Sequence, residues 1–372
     1  MGLPAITGTT AIERDSRSAA ASAIVLWRGR ALPFDVVPEE IAAISGRGER
    51  DLLFGAWKEA LEALNPTYGR RLEAWLAEDR TSAVSEARAL ASDLERFVLH
   101  SETPYFAALR RYLALIDIEQ GDATIADLWH VIRGTAWAHW FGDREVRRAV
   151  SAGGRDVTAA DELRGWREAE EMLAGPGTAD ARVAADATRA AYATLAGSPE
   201  WLGQELGMAA AEVPSFADFA AFVRLGRLRH DIALLQYELR LFAGPADPAL
   251  SRAYYAGIVG HMIGVAAPEE AYLHDVPAPF ASARRIQVAL LAGQLIEALE
   301  SRLGTTWWRE AAAGELASAV ASASSTADAL AQLGYDALDW RPVLRQIRTR
   351  LIGEMSGYGG PNITTRAGTR KV

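Results

Sequence analysis

Apolar residues recur three and four positions apart along nearly the whole chain, while strict alternation of apolar and polar residues is almost absent. Side chains at i, i+3, i+4 and i+7 share one face of a helix, whereas a half-buried strand needs a period of two. The expected fold is therefore all-α. Local start signals divide the pattern into discrete helices. In "SPEWLGQEL" Ser198 is placed as an N-cap with Pro199 at the first helical position, and in "SFADFAAFV" Ser215 and Asp218 have capping-box spacing. Gly and Pro mark stops in "LFAGPADPAL" and "LAGPGTAD". The pattern predicts three antiparallel helices within 37–120 and a further group over "ADLWHVIRGTAWAHWFGDREVRRAV". Beyond these, helices are expected at 187–197, 199–206, 215–243, 248–264, 280–303, 306–321, 326–333 and 340–352.

Composition narrows the chemistry. A chain of 372 residues, 50% of them hydrophobic, can bury one large core or two fused ones. Its longest apolar runs, "IALLQYELRLF" and "IQVALLAGQLIEAL", carry polar residues every few positions. They fall short of the roughly 20 apolar residues a membrane span needs, so no membrane association is expected. The N-terminus has charged residues of both signs before its short apolar patch, the wrong order for a secretory signal, which points to the cytoplasm. With no cysteine, disulfides, thiol nucleophiles and thiolate metal sites are excluded. Schiff-base chemistry would have only Lys58 and Lys371 to draw on, and a P-loop is excluded because no Gly-Lys pair occurs. A net charge of −9 argues against nucleic-acid binding. Residues 341–372 are nonetheless basic, with Glu354 as their one acid; they form a solvated terminus or contact an acidic partner.

The order of motifs "LRHDIALLQYELRLF", "YLHDVPAPFASARRIQVALLAGQLIEALESRLGTTWWREAAAGELASAV" and "ALAQLGYDALDWRPVL" resembles the C-terminal helical half of the thimet-oligopeptidase and oligoendopeptidase superfamily of zinc peptidases. "LERFVLHSETPYFAALRRYLA" followed by "ATIADLWHVIRG" is similar to that family's first helical lobe. The resemblance runs loosely over residues 37–350 and implies a two-lobed, multi-helix bundle with a central cleft. On this reading residues 1–36 are an N-terminal extension and 37–150 an N-terminal helical lobe. Residues 151–186 are a shortened connection, 187–352 a C-terminal helical lobe and 353–372 a basic, Gly-rich tail.

The family's catalysis needs His-Glu-x-x-His on a helix, two imidazoles on one face with a glutamate as base to the zinc-bound water. The six histidines here, His100, His130, His139, His230, His261 and His274, include no i, i+4 pair. Where the third ligand would fall, "DATRAAYATL" offers Arg189 and Tyr192 instead of a glutamate. The chain is thus expected to be a degenerate member with neither metal nor other cofactor. Aligned on Phe280, the family's substrate-side tyrosines would fall at about Ala281 and Arg284. A guanidinium near a helix N-terminus suits a carboxylate, phosphate or sulfate. Arg284 and Arg285 are accordingly anion-site candidates; the alternative is a salt bridge to Asp275, Glu297 or another core acid.

Further candidates for proton transfer are His230 and Tyr237 on one face of their helix, Glu238 with Asp231 on the adjoining face, and His274 with Asp275 in the turn before the arginine helix. Each has a plainer reading: the Tyr-Glu pair ties helices together, and Asp275 caps a loop. His130 and His139 with Trp129, Trp137 and Trp140 form an aromatic cluster read as core packing, and Trp307 and Trp308 are expected to lock the long helix to the last ones. Together these readings describe an enzyme acting on a small anionic substrate, free or tethered to a carrier protein, by acid–base elimination or cyclisation. The alternative is a non-catalytic subunit that binds a partner. An all-α terpene or prenyl synthase lacks its Asp-rich magnesium motif here.

Overall fold

The computed structural model describes residues 18–134, 179–243 and 248–352. The described residues are mostly helical, as the periodicity predicts. The helices are α1 Val37–Ala43, α2 Arg47–Leu76, α3 Thr81–Ala114, α4 Ile125–Gly134, α5 Ala179–Ala193 and α6 Pro199–Gln204. They continue with α7 Val213–Ala243, α8 Pro248–Ile263, α9 Ala281–Leu303, α10 Ala311–Ala321, α11 Thr326–Leu333 and α12 Arg341–Ile352. No helix among the described residues is long and apolar enough to cross a membrane. His139, Trp137, Trp140, the tail from residue 353 and most of the 151–186 connection lie outside the described residues.

Two departures from the expected elements have local causes. The strand Ile24–Trp27 pairs antiparallel with Arg30–Pro33. All four residues of the first strand are apolar, so no alternation betrays it, although Val25 is buried between exposed Ile24 and Leu26. Its turn holds Arg28 and Gly29 at φ 49° and 76°, the left-handed pair that a tight hairpin requires. The helix expected at 187–197 instead runs from Ala179 to Ala193. Its buried stripe is Val183, Ala184, Ala187, Thr188 and Ala191, and alanines give too weak an apolar contrast to show a period.

Ser198 caps α6 as expected, accepting from the Trp201 N–H with Pro199 at the first position. The Ser215–Asp218 capping box does not form. α7 begins at Val213, which puts Ser215 inside the helix, and Asp218 accepts from Arg111 and from Tyr112 of α3 instead. That exchange gives Oδ2 of a buried carboxylate a cation and a hydroxyl, while its Oδ1 has no hydrogen-bond partner among the described residues.

α7 is the central element, packed on α3, α8, α9 and α12, and its residues Leu225, Ile232, Leu234 and Leu235 are fully buried. α5 lies along α9 and α10. Trp307 is buried edge-on to Tyr192 with ring centroids 5.2 Å apart, and Trp308 donates to Glu205, so these contacts tie the segment after α9 to α5 and to the residue after α6. The buried apolar side chains from Val25 to Leu351 belong to one continuous core.

Candidate functional site

Polar side chains interrupt this core where α7, α8 and α9 meet. α7 contributes His230, Asp231, Tyr237 and Glu238; residues seven apart return to nearly the same face after two turns, so the four project as two rows. α8 contributes Tyr255, the turn before α9 contributes Asp275, and the first two turns of α9 contribute Ser282, Arg284 and Arg285. Phe280 holds the left-handed conformation, φ 54° and ψ 30°, at the N-cap of α9. A non-glycine residue there costs about 1 kcal/mol or more. Its ring is buried against Phe242, 5.3 Å away, and that packing holds the start of the helix in place.

Arg285 Nε donates to Asp231 Oδ1 at 2.6 Å. Burial acts to lower the Arg285 pKa, but the Asp231 charge and hydrogen bond raise it overall. Glu238 is fully buried and accepts from Ser282 Oγ through Oε2, while Oε1 has no hydrogen-bond partner among the described residues. Burial pushes the Glu238 carboxyl up to about 8, against the lowering effect of Ser282 and Arg285. Tyr237 is equally buried, its hydroxyl has no hydrogen-bond partner among the described residues, and burial beside Tyr272, Asp275 and Glu238 raises its pKa.

Asp275 accepts from Tyr255 OH, and the same oxygen lies 3.8 Å from His230 Nε2. Burial lowers the His230 pKa, partly offset by Asp275 and Asp231, so the imidazole is neutral at pH 7. The sequence-adjacent pair His274 and Asp275 therefore diverges. Asp275 turns toward His230, while His274 is 3.3 Å through Nδ1 from Tyr68 OH and edge-on to Phe34 and Trp57. His274 packs among Phe34, Trp57 and Tyr68.

Arg284 differs from its neighbour. It is half-buried, yet its side chain makes no hydrogen bond or ion pair with any described residue. Burial lowers its pKa, as do Arg182 of α5 and Arg285, while Asp186 partly compensates. Asp186 is itself raised by burial against the pull of Arg189, Arg284 and Arg182, and Arg189 Nη1 donates to it at 2.8 Å. Arg189 thus joins this second, cationic cluster at the α5–α9 contact, whereas Tyr192 serves in the packing on Trp307.

The two arginines expected as an anion site at the α9 N-terminus differ in their partners. Ser282, in its first turn, binds the Glu238 carboxyl and Arg285 binds Asp231, whereas the Arg284 side chain, also near the start of the helix, makes no hydrogen bond with a described residue. Asp231 as the Arg285 partner, Tyr255, Ser282, Arg182 and Asp186 escaped the sequence reading. Only the Asp231–Glu238 spacing had signalled any of them. Among the described residues no group of three or more His, Asp or Glu could hold a metal ion. No model of a known protein family matches the chain, and neither does any curated protein.

Proposed function

We propose that the chain is a metal-independent enzyme on a two-lobed, metallopeptidase-like helical scaffold. It binds a small anionic substrate, free or carrier-tethered, and catalyses elimination or cyclisation with an anionic leaving group, a chemistry at home in specialised metabolism. The supporting observation is Arg284, a half-buried guanidinium with no hydrogen-bonding acid, set beside Arg182 and next to a buried acid–base array. A cation held this way by the fold favours any anion that enters, because its desolvation is already built into the folded state.

In the reaction, neutral His230, held against Asp275, takes a proton from carbon. The C–H electron pair forms the new π or ring bond, the bond to the leaving group breaks, and its pair departs on the anion facing Arg284. Arg285 stays paired with Asp231 and sets the local potential. The protonated Glu238 carboxyl supplies a proton where the leaving group or a ring atom needs one.

A non-catalytic, pseudo-peptidase subunit is the second reading, favoured by the complete burial of Glu238 and Ser282. Thermal unfolding in phosphate, sulfate or chloride at matched ionic strength separates the two. The enzyme reading expects oxyanion-specific stabilisation that Arg284→Gln removes; equal midpoints in all three salts would reject it.

A further inference from the structure

We infer that Ser282 is a positioning residue that decides which oxygen of Glu238 carries its proton, making Oε1 the donor of the buried array. The inference rests on the reading of this core as a proton-transfer site. Ser282 lies in the first turn of α9 and is fully buried, and its Oγ donates to Glu238 Oε2 across the α7–α9 contact. An oxygen that accepts a hydroxyl proton is the carbonyl-like oxygen of a neutral carboxyl. The acid proton then belongs on the other oxygen, and Oε1 is the one with no hydrogen-bond partner among the described residues.

The surroundings favour the neutral form. From α7, Asp231 disfavours a second negative charge and Tyr237 stands nearby; from α9, Arg285 favours ionisation but is committed to Asp231. Burial outweighs the rest and holds the carboxyl near 8, so most of it carries a proton at pH 7. Tyr237, whose hydroxyl is also without a hydrogen-bond partner among the described residues, is electrostatically coupled to both Glu238 and Asp275.

Infrared spectroscopy of the full chain tests this, with Glu238→Gln assigning the Glu238 carboxyl band. The wild type is expected to show that band at neutral pH and to lose it as pH rises through about 8. In Ser282→Ala the band moves to higher wavenumber, because its carbonyl loses a donor. The titration midpoint rises by about one pH unit, since a hydrogen bond to the ionised form is lost. Ser282→Thr restores both, and Ser282→Cys, with a weaker donor in similar space, gives a smaller shift in the same direction. The inference is overturned if the wild type shows no Glu238 band at neutral pH, or if band and midpoint are unchanged in Ser282→Ala; should that variant not fold, an unshifted Ser282→Cys overturns it equally. The readout needs no substrate or added anion, so its failure is distinct from failure of anion binding at Arg284.

Discussion

Arg285 and Asp231 form the ion pair at the centre of the buried array, Nε to Oδ1 at 2.6 Å, with side-chain exposures of 26% and 12%. Arg284, its neighbour in sequence, makes no such pair with any described residue. Two adjacent arginines thus differ in their partners, one paired with a buried acid and the other without a hydrogen-bonded acid among the described residues.

Removing them should have opposite consequences. Arg285→Ala strands the Asp231 carboxylate and is expected to cost about 3 kcal/mol in urea unfolding. Arg284→Gln breaks no hydrogen bond and relieves a repulsion, so stability should stay within about 0.5 kcal/mol of wild type or rise. The same denaturation series checks both.

Glu238 makes stability fall as pH rises. Its native pKa of about 8 stands above the ordinary glutamate value, so the unfolded chain gives up this proton first. The contribution is complete below the ordinary value and lost progressively up to about 8, a loss of roughly 4–5 kcal/mol at 1.36 kcal/mol per unit. Glu238→Gln should flatten this slope, read as urea midpoints at about pH 5 and pH 8.

His230 behaves in the opposite sense. Burial holds its pKa below the ordinary histidine value, so its contribution is present above that value and lost as pH falls toward the native pKa. Asp275→Asn removes a charge that raises the pKa and should lower it further, as followed by imidazole carbon shifts in an NMR titration. An unchanged value would place Asp275 outside the pair.

The α9–α12 contact depends on a missing side chain. A Cβ on Gly293 would come within 2.2 Å of Val343 Cγ2 and 3.2 Å of the Val343 nitrogen. Gly293→Ala should cost about 2 kcal/mol through overpacking. Val343→Ala in the same chain should return only part of that, because the backbone approach remains.

Helices with strong caps or apolar stripes were legible from sequence. α11 is expected and found at 326–333, and α9 differs from expectation by one residue at its start. α5 was misplaced because alanine burial gives a weak period, and the hairpin was missed because its first strand is apolar throughout. The site was only half legible. Arg284, Arg285, His230 and Glu238 were picked out by type and face, but pairing depends on how helices rotate against one another. Asp275 illustrates this: the histidine it meets is His230 of another helix, while its sequence neighbour His274 faces Tyr68. The Glu238–Ser282 bond likewise joins residues 44 apart, beyond any local pattern.

Soaking crystals of the full chain in selenate and locating selenium by anomalous scattering tests the central claim most directly. The account predicts an anion within hydrogen-bond reach of the Arg284 guanidinium, about 3 Å from its nitrogens, and its loss in Arg284→Gln crystals. Selenate seated only on other arginines, or occupying the same place in the variant, would contradict it.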